Sequence, residues 1–226
     1  MNEIFADMED VCIVYIDNLM IFTKSNSKEE YDKVMLEVLH HLEKNNLFIK
    51  SKKYTFHTEE VEFLSMIMEK DSVHINDSKV KAILKWPDPK NVKGVRSFLG
   101  LANFYHQFIS GYIQVAQPLN DLMKKDTPFV WDSAQQWAFN VLKEKITTAS
   151  ILAYPDNNCK FCLECNSSDF AIGAVLSILK DDKWHLVAYA SHSMSPEDQN
   201  YPITDREMLS AIWSLQMWYH YLEGAK

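Results

Sequence analysis

The order of apolar and polar residues divides the chain into a β-rich start, a helical middle and a second β-rich block. Near the start, "VCIVYIDNLMIFTK" places two apolar runs, 11–16 and 19–23, around Asp17 and Asn18. β-Branched and aromatic runs favour strands, while Asp and Asn favour tight turns. We therefore predict a β-hairpin with Asp17 and Asn18 at its tip.

The next segment predicts a helix followed by short strands. In "SNSKEEYDKVMLEVLHHLEKNN", serines that can cap a helix precede acidic residues, and apolar residues then recur three and four positions apart. Asn45 and Asn46 can end this helix in a left-handed conformation. After it, "YTFHTEEVEFLSMIMEKDSVHI" favours short strands, with "EKDS" as a turn.

Four amphipathic helices are predicted in the middle of the chain. The first, 79–86, ends at two prolines, and the second begins near Asn91. The others run through "VAQPLNDLMKK" and "DSAQQWAFNVLKEKITTAS", and Asp132 or Ser133 can cap the last of them. The positions expected to face the core from the second helix are Val95, Phe98, Leu99, Ala102 and Tyr105.

After "YPDNN" the pattern changes from helices to strands. "KFCLEC", "FAIGAVLSILK" and "WHLVAYAS" predict three consecutive strands with turns at "NSSD" and "KDDK". A final helix is predicted from Thr204 to about Leu222. Its apolar residues are expected to face inward, namely Met208, Leu209, Ile212, Leu215 and either Trp218 or Tyr219. The change of pattern predicts a domain boundary near 150–158.

Composition narrows the class of protein. The 226 residues are 47% hydrophobic and 24% charged, as in an ordinary globular protein. No apolar run is long enough to cross a bilayer, and the acidic first residues do not form a signal peptide. We expect an intracellular protein, without membrane contact, whose cysteines are reduced. A metal site in "CKFCLEC" is disfavoured, because Cys162 and Cys165 would lie on opposite faces of a strand and no fourth ligand is nearby.

Charge is unevenly distributed along the chain. The formal net charge is -8, which argues against indiscriminate binding to nucleic acid. One segment is nevertheless basic, with a single acid, Asp88, among its six cations: Lys79, Lys81, Lys85, Lys90, Lys93 and Arg96. On charge alone, a solvated surface and a phosphate-binding face both explain it.

Two regions carry carboxylates in patterns that metal-dependent phosphoryl transfer uses. Asp17 stands at the predicted hairpin tip, beside the neutral Asn18. At the end of the strand "LEC", Asn166 stands where a carboxylate would face Glu207 on the last helix, and Glu164 shares a strand face with Asn166. From spacing alone, a plain hairpin turn and a surface glutamate are the favoured explanations of these two regions.

Nearly the whole chain resembles the reverse transcriptase–RNase H part of gypsy-class long-terminal-repeat retrotransposon polyproteins. "VCIVYIDNLMIFTKS" resembles the family's Tyr-x-Asp-Asp strand–turn–strand, and "HHLEKNNLFIKSKKYTFHTEEVEFLSMIM" resembles the next palm helix and the hairpin that contacts the primer. "INDSKVKAILKWPDPKNVKGVRSFLGLANFYHQFI" resembles the thumb. "CNSSDFAIGAVLS" and "YPITDREMLSAIWSLQMWYHYLEG" resemble the start of RNase H.

The resemblance implies an α+β fold in four parts. A palm remnant with the Tyr-x-Asp-Asn hairpin and a primer-grip-like hairpin would occupy 1–76, and thumb-like helices 77–128. A connecting helix would occupy 129–154. A truncated RNase H-like α/β domain, with three antiparallel strands and a helix, would occupy 155–226.

Departures from the family pattern bear on activity. Asn18 replaces the second aspartate of the turn, and Asn166 replaces the first RNase H aspartate, so that Asp17 and Glu207 are the residual carboxylates. Ser65 stands where the family usually has Gly. The third polymerase aspartate and the fingers match no part of the chain. The family's cofactor is Mg²⁺, which we expect Asp17 and Glu207 to bind weakly at most.

We therefore expect a polyprotein fragment that is catalytically inactive by itself. The resemblance places the six basic residues on the thumb, so weak binding to an RNA or DNA duplex is expected there. An unfinished RNase H sheet would leave apolar surface for a protein partner. Two alternatives stay open: a segment of an active RNA-directed DNA polymerase and RNase H polyprotein, and a host-adopted interaction protein without enzyme activity.

Overall fold

The computed structural model describes residues 1–23, 25, 27–50 and 54–225. They form two compact units, Met1–Lys70 and Asp71–Lys226. Both units combine helices with antiparallel strands, which confirms the predicted α+β class. The finer division into four parts stays a prediction. No helix in the described ranges is both long and apolar enough to span a bilayer.

The first unit is built on a β-hairpin and one long helix. Strands β1 (Cys12–Tyr15) and β2 (Asn18–Ile21) pair antiparallel, and α1 (Lys28–Lys44) packs on the hairpin together with a short 3-10 helix, Asn2–Phe5. The buried side chains of this core are Phe5, Met8, Cys12, Val34 and Val38. The two valines are four positions apart on α1, as the sequence pattern predicts.

Local hydrogen bonds fix both ends of α1. At its start, the Ser27 side chain accepts a hydrogen bond from the backbone N–H of Glu30. At its end, Asn46 has a φ of 55°, and the Leu47 N–H donates a hydrogen bond to the carbonyl of Leu42. This pattern is a Schellman motif, and it confirms the left-handed stop predicted from the two asparagines.

A second hairpin completes the first unit. Strands β3 (Glu60–Phe63) and β4 (Met66–Glu69) pair antiparallel across a two-residue turn, Leu64 and Ser65. Both turn residues have positive φ, 52° and 64°. Such turns favour Asn or Gly, because a side chain strains a left-handed backbone. The backbone of Ser65 thus explains why Gly is usual at this position in the family that the sequence resembles.

The second unit begins with a helical layer. Its helices are α2 (Asp77–Leu84), α3 (Val92–Phe104), α4 (Tyr112–Asp121) and α5 (Ser133–Thr147), with a 3-10 turn at His106–Phe108. Side chains of Asn76, Asn91 and Asp132 cap α2, α3 and α5. All five residues predicted to face the core from this helix are buried, four of them in α3 and Tyr105 directly after it. The predicted buried face of α3 is therefore confirmed.

Aromatic contacts hold the helical layer together. The Phe98 and Phe139 rings lie 4.5 Å apart, and Trp86 and Trp131 contact this pair edge-on. The Lys143 ammonium lies 4.9 Å from the Phe139 ring centre and donates to the Trp86 carbonyl. Such contacts add to the stabilisation that burial of the rings already provides.

The rest of the second unit is a sheet with a helix on it. Strands β7 (Lys160–Ser167), β8 (Ala171–Lys180) and β9 (Lys183–Ser193) form an antiparallel sheet in that order. The predicted "KDDK" turn is confirmed at the β8–β9 connection. Two short strands that precede this sheet, β5 (Ser72–Ile75) and β6 (Leu152–Ala153), pair with each other, and the sequence pattern missed β6.

The final helix packs on the sheet through the face opposite to the predicted one. It consists of α6 (Ile203–Met217) and a short α7 (Tyr219–Leu222), interrupted at Trp218. The buried residues are Ser210, Ser214 and Trp218. The apolar positions predicted to face inward are mostly exposed, namely Met208, Ile212, Leu215 and Tyr219. The prediction of one continuous helix was therefore wrong, and of the residues predicted to face inward Trp218 is buried and Leu209 is half-buried.

Two hydrogen bonds explain why serines can occupy the buried face. The Ser210 hydroxyl donates to the carbonyl of Glu207, and the Ser214 hydroxyl donates to that of Ser210, both at 2.7 Å. Both serine hydroxyls therefore have an acceptor although they are buried, and the small side chains let α6 lie close to the sheet. The large residues of this core come instead from the strands and from Trp218.

The reversed face of α6 predicts an unusual pair of mutational effects. Ser214→Leu should destabilise the second unit by about 1–3 kcal/mol, because a larger side chain overpacks the helix–sheet contact. Leu215→Ser should change stability by less than about 0.5 kcal/mol, because the leucine is exposed. Tryptophan fluorescence during urea unfolding measures both, since all six tryptophans lie in the second unit. Equal effects at the two positions would contradict this packing.

The Ser65 turn predicts a stabilising substitution in the first unit. Ser65→Gly should stabilise the β3–β4 hairpin by about 1 kcal/mol, because Gly adopts positive φ without strain. Glu62→Gly is the matched control in strand β3, where Gly should destabilise. Amide hydrogen exchange of β3 and β4 is the appropriate measurement because the first unit has no tryptophan. Slower exchange in the control than in Ser65→Gly would refute the explanation.

Candidate functional site

The carboxylate Asp17 lies at the tip of the first hairpin, but the turn is shifted by one residue from the predicted position. Tyr15 pairs with Asn18, so Ile16 and Asp17 form the turn and Asn18 begins β2. Ile16 has a φ of 55°. Positive φ at the first turn residue alone is the pattern of a type II′ turn, where Gly is usual. The β-branched Ile16 is therefore strained.

Strand register decides where Asn18 points. Cys12 and Val14 belong to the buried face of the hairpin, while Ile13 and Tyr15 are exposed. Because residues directly opposite each other share a face, Asn18 lies on the exposed face beside Tyr15. Asp17 has neither a hydrogen bond nor an ion pair with any described residue. The tip thus presents one free carboxylate and one amide to solvent.

The second pair of predicted site residues is Asn166 and Glu207. Glu207 contacts the end of the strand that carries Asn166, but through the neighbouring residue Ser167. Glu207 Oε1 accepts hydrogen bonds from the Ser167 hydroxyl at 2.9 Å and from the Ser167 N–H at 3.3 Å. Ser167 adjoins Asn166, but successive strand side chains point to opposite faces. Glu207 is therefore hydrogen-bonded to Ser167 and not to Asn166, the residue that the sequence predicts to face it.

A neighbouring ion pair strengthens the same connection. Arg206 Nη1 donates to Asp169 Oδ1 at 2.9 Å and to the Ser168 carbonyl at 3.3 Å. Two adjacent residues of α6, Arg206 and Glu207, are thus tied to the turn between β7 and β8. The Glu207 carboxylate thus helps to position α6 on the sheet, and its Oε1 already accepts two hydrogen bonds from Ser167.

Asn166 lines an open cleft of about 530 Å³ between the start of α4 and strands β7 and β8. Glu164 and Gln114 also line it, and Gln114 Oε1 is buried without a hydrogen-bond partner. A Cβ added at Gly173, opposite Asn166, would lie 3.9 Å from Gln114 Nε2, which is an ordinary van der Waals contact. The cleft is therefore lined by one carboxylate, Glu164, by amides and hydroxyls, and by apolar side chains such as Val175.

The donor sets of these regions do not fit tight binding of Mg²⁺. A hard divalent ion takes about six oxygen ligands and depends on carboxylates for most of its affinity. Within the described residues, no three His, Cys, Asp or Glu side chains are placed so that they could hold a metal ion. The three thiols of "CKFCLEC" form no such cluster either, and all four cysteines are free. Weak metal binding at Asp17 or Glu207 stays a prediction.

The predicted basic residues lie on α2, on α3 and on the connection between them. Five of the six are exposed and Lys79 is half-buried. None of them forms an ion pair with another described residue, so their positive charges are uncompensated by salt bridges. The one acid of this segment, Asp88, accepts a hydrogen bond from Gln136 of α5. The six basic residues described here are Lys79, Lys81, Lys85, Lys90, Lys93 and Arg96.

Two further residues of α3 complete this surface and were missed by sequence reasoning. Gly100 is exposed, and a Cβ added there would meet no atom within 4 Å. Phe104, one turn later, is exposed as well. Lys93, Gly100 and Phe104 share one side of α3, because they are seven and four positions apart. We call this side of α3, together with the six basic residues of α2, α3 and the connection between them, the basic face. The signal for this surface in the sequence is Gly100 itself, because Gly is unfavourable in the interior of a predicted helix.

Comparison with family models matches both units. Residues 1–68 match the reverse transcriptase (RNA-dependent DNA polymerase) family. Residues 131–226 match the RNase H-like domain found in reverse transcriptase. The matches occur in the chain order that the sequence resemblance predicts.

Curated relatives extend the match to nearly the whole chain. The Transposon Tf2-7 polyprotein of Schizosaccharomyces pombe is 37% identical over 225 residues, and the Tf2-3 polyprotein of the same yeast is 36% identical. These alignments cover 99% of this chain and 17% of each relative. The chain therefore spans about a sixth of the length of the polyproteins it matches.

Solved structures share the fold. The foamy viral protease-reverse transcriptase in complex with an RNA/DNA hybrid aligns with a TM-score of 0.80 at 19% identity, over 96% of this chain and 29% of that one. The same viral protein in complex with double-stranded DNA gives 0.76 at 19% identity, over 95% and 44%. Together with the family models and the yeast relatives, this likeness confirms the predicted resemblance. The chain belongs to the reverse transcriptase–RNase H region of gypsy-class retrotransposon polyproteins.

Proposed function

We propose that this chain binds nucleic-acid duplexes through the basic face of α2 and α3 and catalyses neither DNA synthesis nor RNA cleavage by itself. The observation that carries the proposal is the set of six cations without ion-pair partners in the described chain. Phosphate neutralisation by such residues supplies most sequence-independent affinity for duplexes.

The charge distribution favours binding at the segment from Lys79 to Arg96. The chain carries a net charge of -8, whereas this segment has six cations and one acid, so it attracts phosphates that the chain as a whole repels. A duplex would therefore be oriented as well as held. The viral neighbours whose structures contain an RNA/DNA hybrid or double-stranded DNA support this choice of ligand.

Gly100 adds a steric argument to the electrostatic one. In a helix interior, Gly is less stable than Ala by about 0.8–1 kcal/mol, and here Ala would fit without a clash. The glycine therefore gives the fold no advantage. It does allow a close approach to the helix backbone, flanked by Lys93 and Arg96 for phosphates and by Phe104 for an apolar sugar or base face.

The catalytic part of the proposal rests on the missing carboxylates. Reverse transcriptases and RNases H generally use divalent metal ions, and uncatalysed phosphate chemistry is slow enough that positioned metal ions supply much of the acceleration. Here Asn18 and Asn166 replace carboxylates at two separate sites. These replacements lie inside the chain, so additional polyprotein sequence would not repair them. They disfavour the alternative of a working polymerase segment.

The alternative of a host-adopted interaction protein has its own support. In the described sheet, β7 pairs with β8 on one side and with no strand on the other. An uncovered strand edge is able to accept a further strand from a partner. We therefore keep a protein partner on this edge of the RNase H-like sheet as a second proposal.

Duplex binding should be salt-dependent and sensitive to the basic face. We expect the logarithm of the binding constant to fall with the logarithm of salt concentration with a slope of about -3 to -5, and Lys93→Ala to reduce that slope by about 1. Lys125→Ala, which removes an exposed lysine after α4, is the matched control. Fluorescence anisotropy with a labelled RNA/DNA hybrid of unrelated sequence provides the measurement. A salt-independent affinity would disprove phosphate binding.

Gly100→Ala should separate stability from binding. The substitution should stabilise the second unit by up to about 1 kcal/mol, because Ala is the better helix former and has room. It should also weaken duplex binding by about fivefold, because the methyl group holds the duplex away from the helix. Urea unfolding and anisotropy on the same sample test both effects. Unchanged affinity would show that the duplex does not approach this glycine.

Neither enzymatic activity should be detectable. Purified chain should not extend a primer with Mg²⁺ or Mn²⁺, and Asn18→Asp should not restore extension, since one added carboxylate does not complete the ligand set. RNA in a hybrid should likewise survive incubation with the wild type and with Asn166→Asp. A metal-dependent primer-extension signal that disappears in Asp17→Ala would overturn the proposal.

A further inference from the structure

We propose that the open cleft between the start of α4 and strands β7 and β8 binds a guanidinium group, such as that of an arginine side chain. Three polar side chains that line it carry the argument, Gln114, Glu164 and Asn166. We call it the α4–β7 cleft. It lies on other elements than the basic face, so this inference goes beyond duplex binding and does not depend on it.

The cleft contains a hydrogen-bond acceptor that the fold leaves unused. Gln114 Oε1 is buried and has no hydrogen-bond partner among the described residues. This oxygen lies beside the start of α4, since a Cβ added at Gly111 would be 3.3 Å from it, and Gly111 also lines the cleft. Burial of an acceptor without a donor destabilises the fold. A ligand that brings an N–H group to Gln114 Oε1 would remove that cost.

The start of α4 is held in place beside the sheet. The Ile113 N–H donates a hydrogen bond to the Ser191 hydroxyl of β9 at 3.2 Å. This bond and the burial of the neighbouring Tyr112 fix the first turn of the helix, from which Gln114 extends into the cleft. The acceptor is therefore positioned before any ligand arrives, which lowers the entropy cost of binding.

Strand β7 contributes two further acceptors to the same cleft. Glu164 and Asn166 are two positions apart, so their side chains share one face of the strand. Ser167 points to the other face, where it bonds to Glu207. Glu164 and Asn166 are thus not engaged in that contact, and Glu164 forms no ion pair with any described residue.

The charge of the lining selects the class of ligand. Among the described residues that line the cleft, Glu164 is the one charged side chain, so cations are attracted and phosphates are repelled. A guanidinium is a permanent cation with N–H donors in one plane and no acceptor, and it pairs with a carboxylate through two parallel hydrogen bonds. It is also less strongly hydrated than an ammonium, and its alkyl stem can contact Val175.

A pair of matched probes tests the proposal on the full chain. N-acetyl-argininamide carries the guanidinium, and N-acetyl-citrullinamide has nearly the same shape but a neutral urea group in its place. We expect the arginine probe to bind at least about tenfold more tightly in isothermal titration calorimetry. Gln114→Met should weaken its binding by about tenfold, because a buried acceptor of a charged donor is lost.

Two glutamate variants separate the cleft from general attraction to an acidic protein. Glu164→Gln should weaken binding of the arginine probe by about fivefold at low salt, as expected for an exposed carboxylate. Glu197→Gln removes the same charge from an exposed residue between β9 and α6, outside the cleft, and should change affinity less than about twofold. Equal losses in the two variants would overturn the proposal.

Thermal unfolding gives a second readout for Gln114. Without a probe, Gln114→Met should unfold at a higher temperature than the wild type, because the unpartnered oxygen is gone. With the arginine probe, the wild type should gain more in unfolding temperature than this variant. Equal gains would show that the probe does not reach Gln114 Oε1, and this result would contradict the proposed site.

Further titrations identify the source of the guanidinium. Tighter binding of the peptide Gly-Gly-Arg-Gly-Gly than of the capped arginine would assign the cleft to a side chain of a protein partner. Equal binding of the two would assign it to a free small molecule. Equal binding of the arginine and citrulline probes, or binding of neither, would refute guanidinium recognition. Displacement of the arginine probe by millimolar Mg²⁺ would assign the cleft to a metal ion instead.

Discussion

The close packing of α6 on the sheet through Ser210 and Ser214 determines most of what the second unit presents to its surroundings. Because both hydroxyls bond to carbonyls of their own helix, the helix buries a polar side without leaving donors unpaired. That choice of side brings Arg206 and Glu207 to the β7–β8 turn. It also leaves the apolar side of the helix in solvent. One packing constraint thus sets both the hydrogen-bond partner of Glu207 and the side chains that α6 leaves exposed.

The scaffold and the chemistry of this family depend on different residues. Burial of Phe98, Phe139 and Trp218 needs no carboxylate, and the caps of α3 and α5 use Asn91 and Asp132. A chain can therefore replace catalytic acids by amides and keep its fold, since the replaced groups contribute little to packing. The duplex binding that we propose would depend on exposed cations at other positions, Lys79 to Arg96.

Sequence patterns predicted the parts of the fold in which local signals and packing agree. The α3 core, the Asn46 stop and the β8–β9 turn follow from periodicity and turn chemistry, and the structure shows each of them. The inner face of α6 could not be predicted, because periodicity reports which side is apolar and not which side meets a crowded sheet. The hairpin tip was misplaced by one residue because Ile16 is a poor turn former, and only strand register reveals it. The role of Glu207 toward Ser167 depends on that same tertiary packing.

The positive φ of Ile16 has a mechanical consequence. A β-branched residue in this conformation is strained by about 1–3 kcal/mol, whereas the β1–β2 ladder that restrains it has four residue pairs. Opening of the terminal pair, Tyr15 and Asn18, would relieve this strain, so the strain opposes the pairing that holds the turn in place. Asp17 belongs to the same turn, whereas a metal-binding catalyst requires a backbone that fixes the geometry of its ligands.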